Sequence, residues 1–323
     1  PSPEIAEQKI SGEKLASGDS TERDTSGGNE GVKSSGITQD ATEANKEEKN
    51  KTKPDSGENE ISSFDQNETL SLLHKTGFDQ TLLSDIQSWS NWNEFKDLPL
   101  ADALKHITVG LSDRYRSATE LKAQNKIALI GSPGVGKTTT LCKFLAHEVF
   151  MNKTCPMVLK VESGVPNPDD ALRIFCEVVG VTLFRQAESV PQATDDSPLY
   201  LDFPGLSLTN LDDWTTTKST LDDLEVETRV LVVNGAYDKD ILYKNINTAN
   251  HLGATHLAIT HFDEISNSTK LWPLILRSNL TPLCICNGQN VTGDFTTGVL
   301  NQMISRTFPE ELYAKGFSSY QNL

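Results

Sequence analysis

Residues 131–140 read GSPGVGKTTT, the stretch of this chain with the most specific chemistry. Gly131, Gly136, Lys137 and Thr138 fill the fixed positions of the pattern G-x-x-x-x-G-K-[ST]. Glycines let the backbone curl, so that N–H groups along Ser132, Gly134, Val135, Gly136 and Thr139 converge on a phosphate. The N-terminus of a following helix adds partial positive charge at the same point. The Lys137 ammonium then reaches the β- and γ-phosphates of a nucleotide, and the Thr138 hydroxyl is placed for Mg²⁺. A glycine-rich turn that binds nothing is the alternative. Context argues against it: the apolar run KIALI precedes the loop, and LCKFLAHEVF with helical spacing comes after it.

Three later stretches carry chemistry at what read as strand ends. LYLDFPG places Asp202 where a carboxylate can hold Mg²⁺, and Gly205 where a backbone N–H can reach a γ-phosphate. HLAITHFDE brings Thr260 and then Asp263, a carboxylate able to accept two hydrogen bonds from the N–H edge of guanine. PLCICNGQNV ends in Gly288 and Gln289, where backbone can approach a base or ribose. Each alone also reads as an ordinary turn or helix cap. Their order after a phosphate loop is what makes them specific.

Such residues need a scaffold that gathers strand ends. From about 125 onward the runs IALIG, PMVLKVE, PLYLDFPG, RVLVVNG, HLAITHFD and TPLCICNG alternate with amphipathic stretches. That alternation predicts an α/β fold, a P-loop NTPase with a mostly parallel sheet and helices on both faces. Ligands bind at the carboxyl ends of such strands. A small helical domain over 61–122 precedes it, with Leu70, Leu72, Leu73 and Phe78 near one face and Leu100, Leu104, Ile107 and Leu111 on another stripe. It is expected to pack on the α/β domain. Residues 1–60 are rich in Ser, Gly, Glu and Lys and read as a disordered acidic tail. The nucleotide domain is assigned to 123–310, and 311–323 to a C-terminal tail.

The chain has 323 residues and a formal charge of −16, so the basic footprint of a nucleic-acid binder is absent. Its five cysteines form no paired C-x-x-C motifs and mostly lie in apolar runs, as buried reduced thiols do. Cys284 and Cys286 share one strand face and are read as core rather than metal ligands. No apolar stretch approaches the length of a membrane span, and no apolar core marks a signal peptide. The chain opens on Pro1 rather than Met, so further residues are expected to precede it.

Taken in order, these motifs resemble the signal recognition particle (SRP) class of GTPases, and within it the FlhF branch of flagellar-placement GTPases. GKTTT followed by LCKFLA is similar to that family's GKTTTLAKLA, DFPG at 202–205 to its DTAG, THFDE at 260–264 to its TKxDE, and NGQNV at 287–291 to the FlhF closing element. The likeness covers roughly 62–310. It implies GTP or GDP with Mg²⁺ at Thr138 and Asp202, catalytic roles for Lys137 and for Glu162, and a nucleotide-dependent homodimer. It also implies a flagellar or membrane-associated protein partner, and a cytoplasmic place, peripheral at the inner face of the membrane. The departures concern hydrolysis. An ungapped match puts Glu162 where the family has a catalytic Asp, Val165 and Leu206 where it has arginines, and Ala171 where it has Gln. His261 replaces the lysine of TKxD. Weak or conditional GTPase activity is therefore the expectation. The rivals are a hydrolysis-dead scaffold and an ATP-binding P-loop protein. Of the latter, the MinD-like group is disfavoured by Ser132, where a second lysine belongs.

Overall fold

The computed structural model describes residues 67–118, 121–162 and 170–310. The two tails expected from the sequence, and Val165, lie outside the described residues.

The helical region forms α1 (Glu68–Lys75), α2 (Gln80–Gln87), α3 (Trp92–Phe95) and α4 (Leu100–Ala118). Side chains stop the first two from fraying: Asn67 Oδ1 accepts the Leu70 N–H at 3.0 Å, and Asp79 Oδ1 accepts that of Leu82 at 2.7 Å. On α4 the residues Leu104, Ile107, Leu111 and Tyr115 recur at helical spacing and are buried. Leu72 and Leu100, expected on the buried stripes, are only partly covered. These helices share one apolar core with the later strands, and the rings of Phe78 and Phe308 lie 6.0 Å apart. The expectation that they pack on the α/β region holds.

The sheet is built from β1 (Lys126–Ile130), β2 (Met157–Lys160), β3 (Thr182–Phe184), β4 (Leu199–Asp202), β5 (Thr228–Asn234), β6 (His256–Thr260), β7 (Thr281–Cys286) and β8 (Phe295–Thr296). Their spatial order is β3-β2-β4-β1-β5-β6-β7-β8. All pairs are parallel except β7 with β8. All six runs read as strands are strands. The three-residue β3 and two-residue β8 at the edges were not foreseen.

Side-chain alternation divides the core. Ile127, Leu129, Val158, Tyr200, Val230 and Val232 point to the face covered by α5 (Lys137–His147) and α6 (Asp170–Val179). Ala128, Ile130, Leu159, Leu201, Leu231 and Val233 point to the other. That face is covered by α7 (Leu211–Asp223), α8 (Lys239–His251), α9 (Trp272–Arg277) and α10 (Val299–Ser305), together with α1–α4. The chain moves from β1 toward β2 on one side, then returns to β5 on the other. The carboxyl end of β1 is therefore the topological switch point, the place where such sheets bind ligands.

Candidate nucleotide site

The phosphate loop leaves β1 at that switch point and enters α5 directly. Gly131 has φ +143°, and a Cβ there would sit 2.5 Å from the Val232 carbonyl oxygen, so only glycine fits. The loop is held from three sides. The Ser132 hydroxyl bonds Asn245 Oδ1 of α8 at 2.6 Å. Thr260 Oγ1, at the end of β6, donates to the Val135 carbonyl at 2.7 Å. Leu206 N–H donates to the Gly131 carbonyl at 3.1 Å, and Gly205 lies so close that a Cβ would meet Pro133 Cα at 2.7 Å.

Lys137 is buried, with its ammonium donating to the Gly131 and Ser132 carbonyls at 3.2 and 3.0 Å. Burial pulls it down to about 8; nearby Asp202 opposes that shift and nearby Lys160 adds to it. Both bonds are to carbonyls of the phosphate loop itself, so the ammonium lies against that loop.

Beside the loop opens a cavity of about 470 Å³. Gly134, Gly136 and Thr139 line it, and so do Thr260, Asp263, Gly288 and Gln289. Two regions more than a hundred residues apart, each singled out from sequence, thus face one space. Asp263 is exposed, in a 3₁₀ turn just after His261. His261 adopts a left-handed backbone (φ 53°), with Nδ1 2.9 Å from Thr260 Oγ1, and also lines the cavity.

The other expected residues are placed less uniformly. Thr138 is half-buried at the start of α5, and Glu162 is exposed just past β2. Ser132 turns its hydroxyl to α8, so only its backbone is left to serve a phosphate. Arg173, on the helix that follows Glu162 in the chain, is exposed on α6 and paired with Glu177 at 2.8 Å. Leu206 is fully buried. Of the cysteines, Cys142, Cys176, Cys284 and Cys286 are buried and Cys155 is exposed. Cys286 reaches the cavity wall, 3.7 Å from Thr140 Oγ1, and the neighbouring Cys284 thiol lowers its pKa from the usual thiol value.

Two lysines escaped the sequence reading. Lys143 of α5 is buried, and its ammonium donates to the carbonyls of Gly288 (2.7 Å) and Asp294 (2.6 Å). It ties the phosphate-loop helix to the 288–294 loop that lines the cavity. Lys160 ends β2, directly opposite Asp202 in the parallel register, and the two form an ion pair with neither side chain exposed. The signal was present: a charge inside PMVLKVE, with the same parity as the inward-facing Val158.

This pair decides how well the site suits Mg²⁺. A divalent ion needs carboxylate or hydroxyl oxygens open to it, with further positions for water and phosphate. Thr138, half-buried at the start of α5, is not enclosed. Asp202 does not meet that need, because its carboxylate is enclosed against the Lys160 ammonium. The expected pair of metal residues does not form a metal site of the anticipated kind.

No protein-family model matches the sequence, and no curated protein is similar to it. Solved structures are. An FlhF bound to GMPPNP/Mg²⁺ superposes with a TM-score of 0.58 at 17% identity, covering 73% of this chain and 99% of that one. Chloroplast FtsY from Physcomitrella patens gives 0.63 at 13%, covering 76% and 89%. The signal recognition particle receptor FtsY from Elizabethkingia anophelis gives 0.58 at 18%, covering 73% and 83%. A phosphate loop at the switch point of an eight-stranded sheet, with helices packed before it on the same core, is thus the fold of the SRP-type GTPases.

Proposed function

We propose that this chain binds guanine nucleotide as an SRP-type GTPase with weak or conditional hydrolysis, acting in flagellar placement or protein targeting. One observation carries the binding reading: Asp263, Gly288 and Gln289 line the same cavity as the glycines of the phosphate loop. Loop N–H groups and Lys137 take the phosphates, and Asp263 takes the N–H edge of the base, which adenine does not offer. Support for the nucleotide comes from solved FlhF structures, which hold GTP or GMPPNP with Mg²⁺ in this fold.

Weak hydrolysis is the consequence of the groups around the phosphates. Phosphoryl transfer depends on positioning and on charge that stabilises the transferring group, and loss of an arginine in that role costs about 10³–10⁵ in rate. Leu206 is apolar and enclosed at one of the two expected positions. Glu162 remains as the carboxylate to orient water. A nucleotide-dependent homodimer, and a flagellar or membrane-associated partner, belong to the same reading. Among the described residues no helix is long and apolar enough to cross a membrane.

Calorimetry with GTP, GDP, GMPPNP and ATP, with phosphate release followed on the same samples, tests this. Tight guanine binding with slow release is expected. Preference for ATP would replace the guanine reading, and failure of all four nucleotides would leave the fold as a scaffold.

A further inference from the structure

We infer that Lys160 supplies, as a tethered ammonium, the positive charge that a divalent cation would bring to Asp202, and that the chain holds its nucleotide without Mg²⁺. The inference rests on the nucleotide reading above.

Geometry leads to it directly. In the sheet register Asp202 stands between Leu129 of β1 and Lys160 of β2. Alternation along those strands turns all three toward α5, beneath the phosphate loop. The Lys160–Asp202 pair is completely enclosed there. Lys137, the phosphate-reaching residue, is also buried and lies close enough to feel both charges. The site thus already contains two ammonium groups next to one carboxylate.

A divalent cation entering this arrangement meets two penalties. It is repelled by both ammonium groups across an interior that screens charge poorly. Any share of the Asp202 carboxylate that it takes is also charge withdrawn from the enclosed Lys160 ammonium, which bonds Oδ2. Lys160 does not compete with itself for Asp202, and its repulsion with Lys137 is already part of the folded state. Its backbone is fixed in a central strand, so its charge is in place before the nucleotide arrives. A phosphate above the loop is then held by backbone N–H groups, the start of α5, Lys137, and the field of the Lys160–Asp202 pair.

The test is calorimetric titration of GDP and GTP into the full chain, once in excess Mg²⁺ and once in EDTA. Affinities within about fivefold of each other are expected, a difference of about 1 kcal/mol. A larger loss on chelation overturns the inference and leaves guanine-nucleotide binding intact. No binding under either condition overturns both. Lys160→Met, which opens the Asp202 carboxylate, is expected to make binding depend on Mg²⁺ by roughly tenfold or more. Equal binding by that variant with and without Mg²⁺ removes Lys160 from the role. Should Lys160→Met melt too low to use, the Lys160→Met/Asp202→Asn pair removes both charges together. It is expected to bind more weakly than the parent in either buffer, and parent-like affinity in EDTA counts against the inference.

Discussion

The base side and the phosphate side of the proposed nucleotide site are made differently. On the base side Asp263 and Gln289 are exposed loop residues that line the cavity, and Gly288 contributes backbone. On the phosphate side, at the loop and the strands beneath it, the charged groups belong to the sheet and its first helix: Lys137, Lys160 and Asp202 are buried, and the last two are register partners. A loop carboxylate can be exchanged at little cost to the fold, because water solvates it either way. A charge inside a parallel sheet is held by the strands and is therefore part of what the fold must stabilise. The base side can change specificity almost freely, whereas the phosphate side couples binding to stability.

The largest effect that would sharpen this contrast is on stability. Asp202→Ala leaves the Lys160 ammonium enclosed without that carboxylate and is expected to cost about 3–5 kcal/mol in denaturant unfolding. Replacing both by apolar residues, as in Lys160→Met/Asp202→Leu, is expected to restore most of it. A single variant as stable as the parent would mean that the phosphate side is no more tied to the fold than the base side.

Next comes binding. Lys137→Ala is expected to weaken nucleotide affinity roughly 100-fold, as loss of a charged hydrogen-bonding partner does. The fold should hold, because burial already disfavours that ammonium. Asp263→Ala is expected to reduce GTP affinity by about tenfold or more, to narrow the gap between GTP and ATP, and to leave the melting temperature unchanged. A fall in melting temperature with Asp263→Ala would blur the distinction between the two sides.

The smallest effect is one of pH. With Lys137 drawn down to about 8, the free protein loses that proton well below the ordinary lysine value. Phosphate favours the charged form. Affinity is therefore expected to be flat below about pH 8 and to fall by at most about tenfold per unit above it. Folding stability should move the other way in that window, rising from about pH 8 toward the ordinary lysine value, because the unfolded chain keeps the proton longer. An affinity that stays flat through that range would show that Lys137 does not carry the phosphate contact.

Legibility in the sequence divides along the same line. The phosphate loop is contiguous, with each fixed residue answering to one backbone requirement, and it reads without tertiary information. The central strands read as apolar runs because both of their faces are covered. β3 has one exposed and two half-buried residues, and its three positions give no pattern to detect. β8 is two residues paired only with Ile285 and Cys286. Lys160 stayed hidden for another reason. Its meaning lies in a partner 42 residues away, across a strand pairing that no local pattern records. Lys143 was absorbed into an amphipathic helix in the same way, its two carbonyl partners lying on the 288–294 loop.

The two edge strands carry a further consequence. β3 and β8 are the outermost strands of this sheet, and they are its shortest. A strand that short offers an incoming chain only one or two backbone bonds, too few to template further growth. Ribbon-like addition of a second copy is therefore blocked at both margins. Two copies of this chain would have to meet through side chains and loops, a contact that can be made and released without rebuilding a hydrogen-bonded ladder.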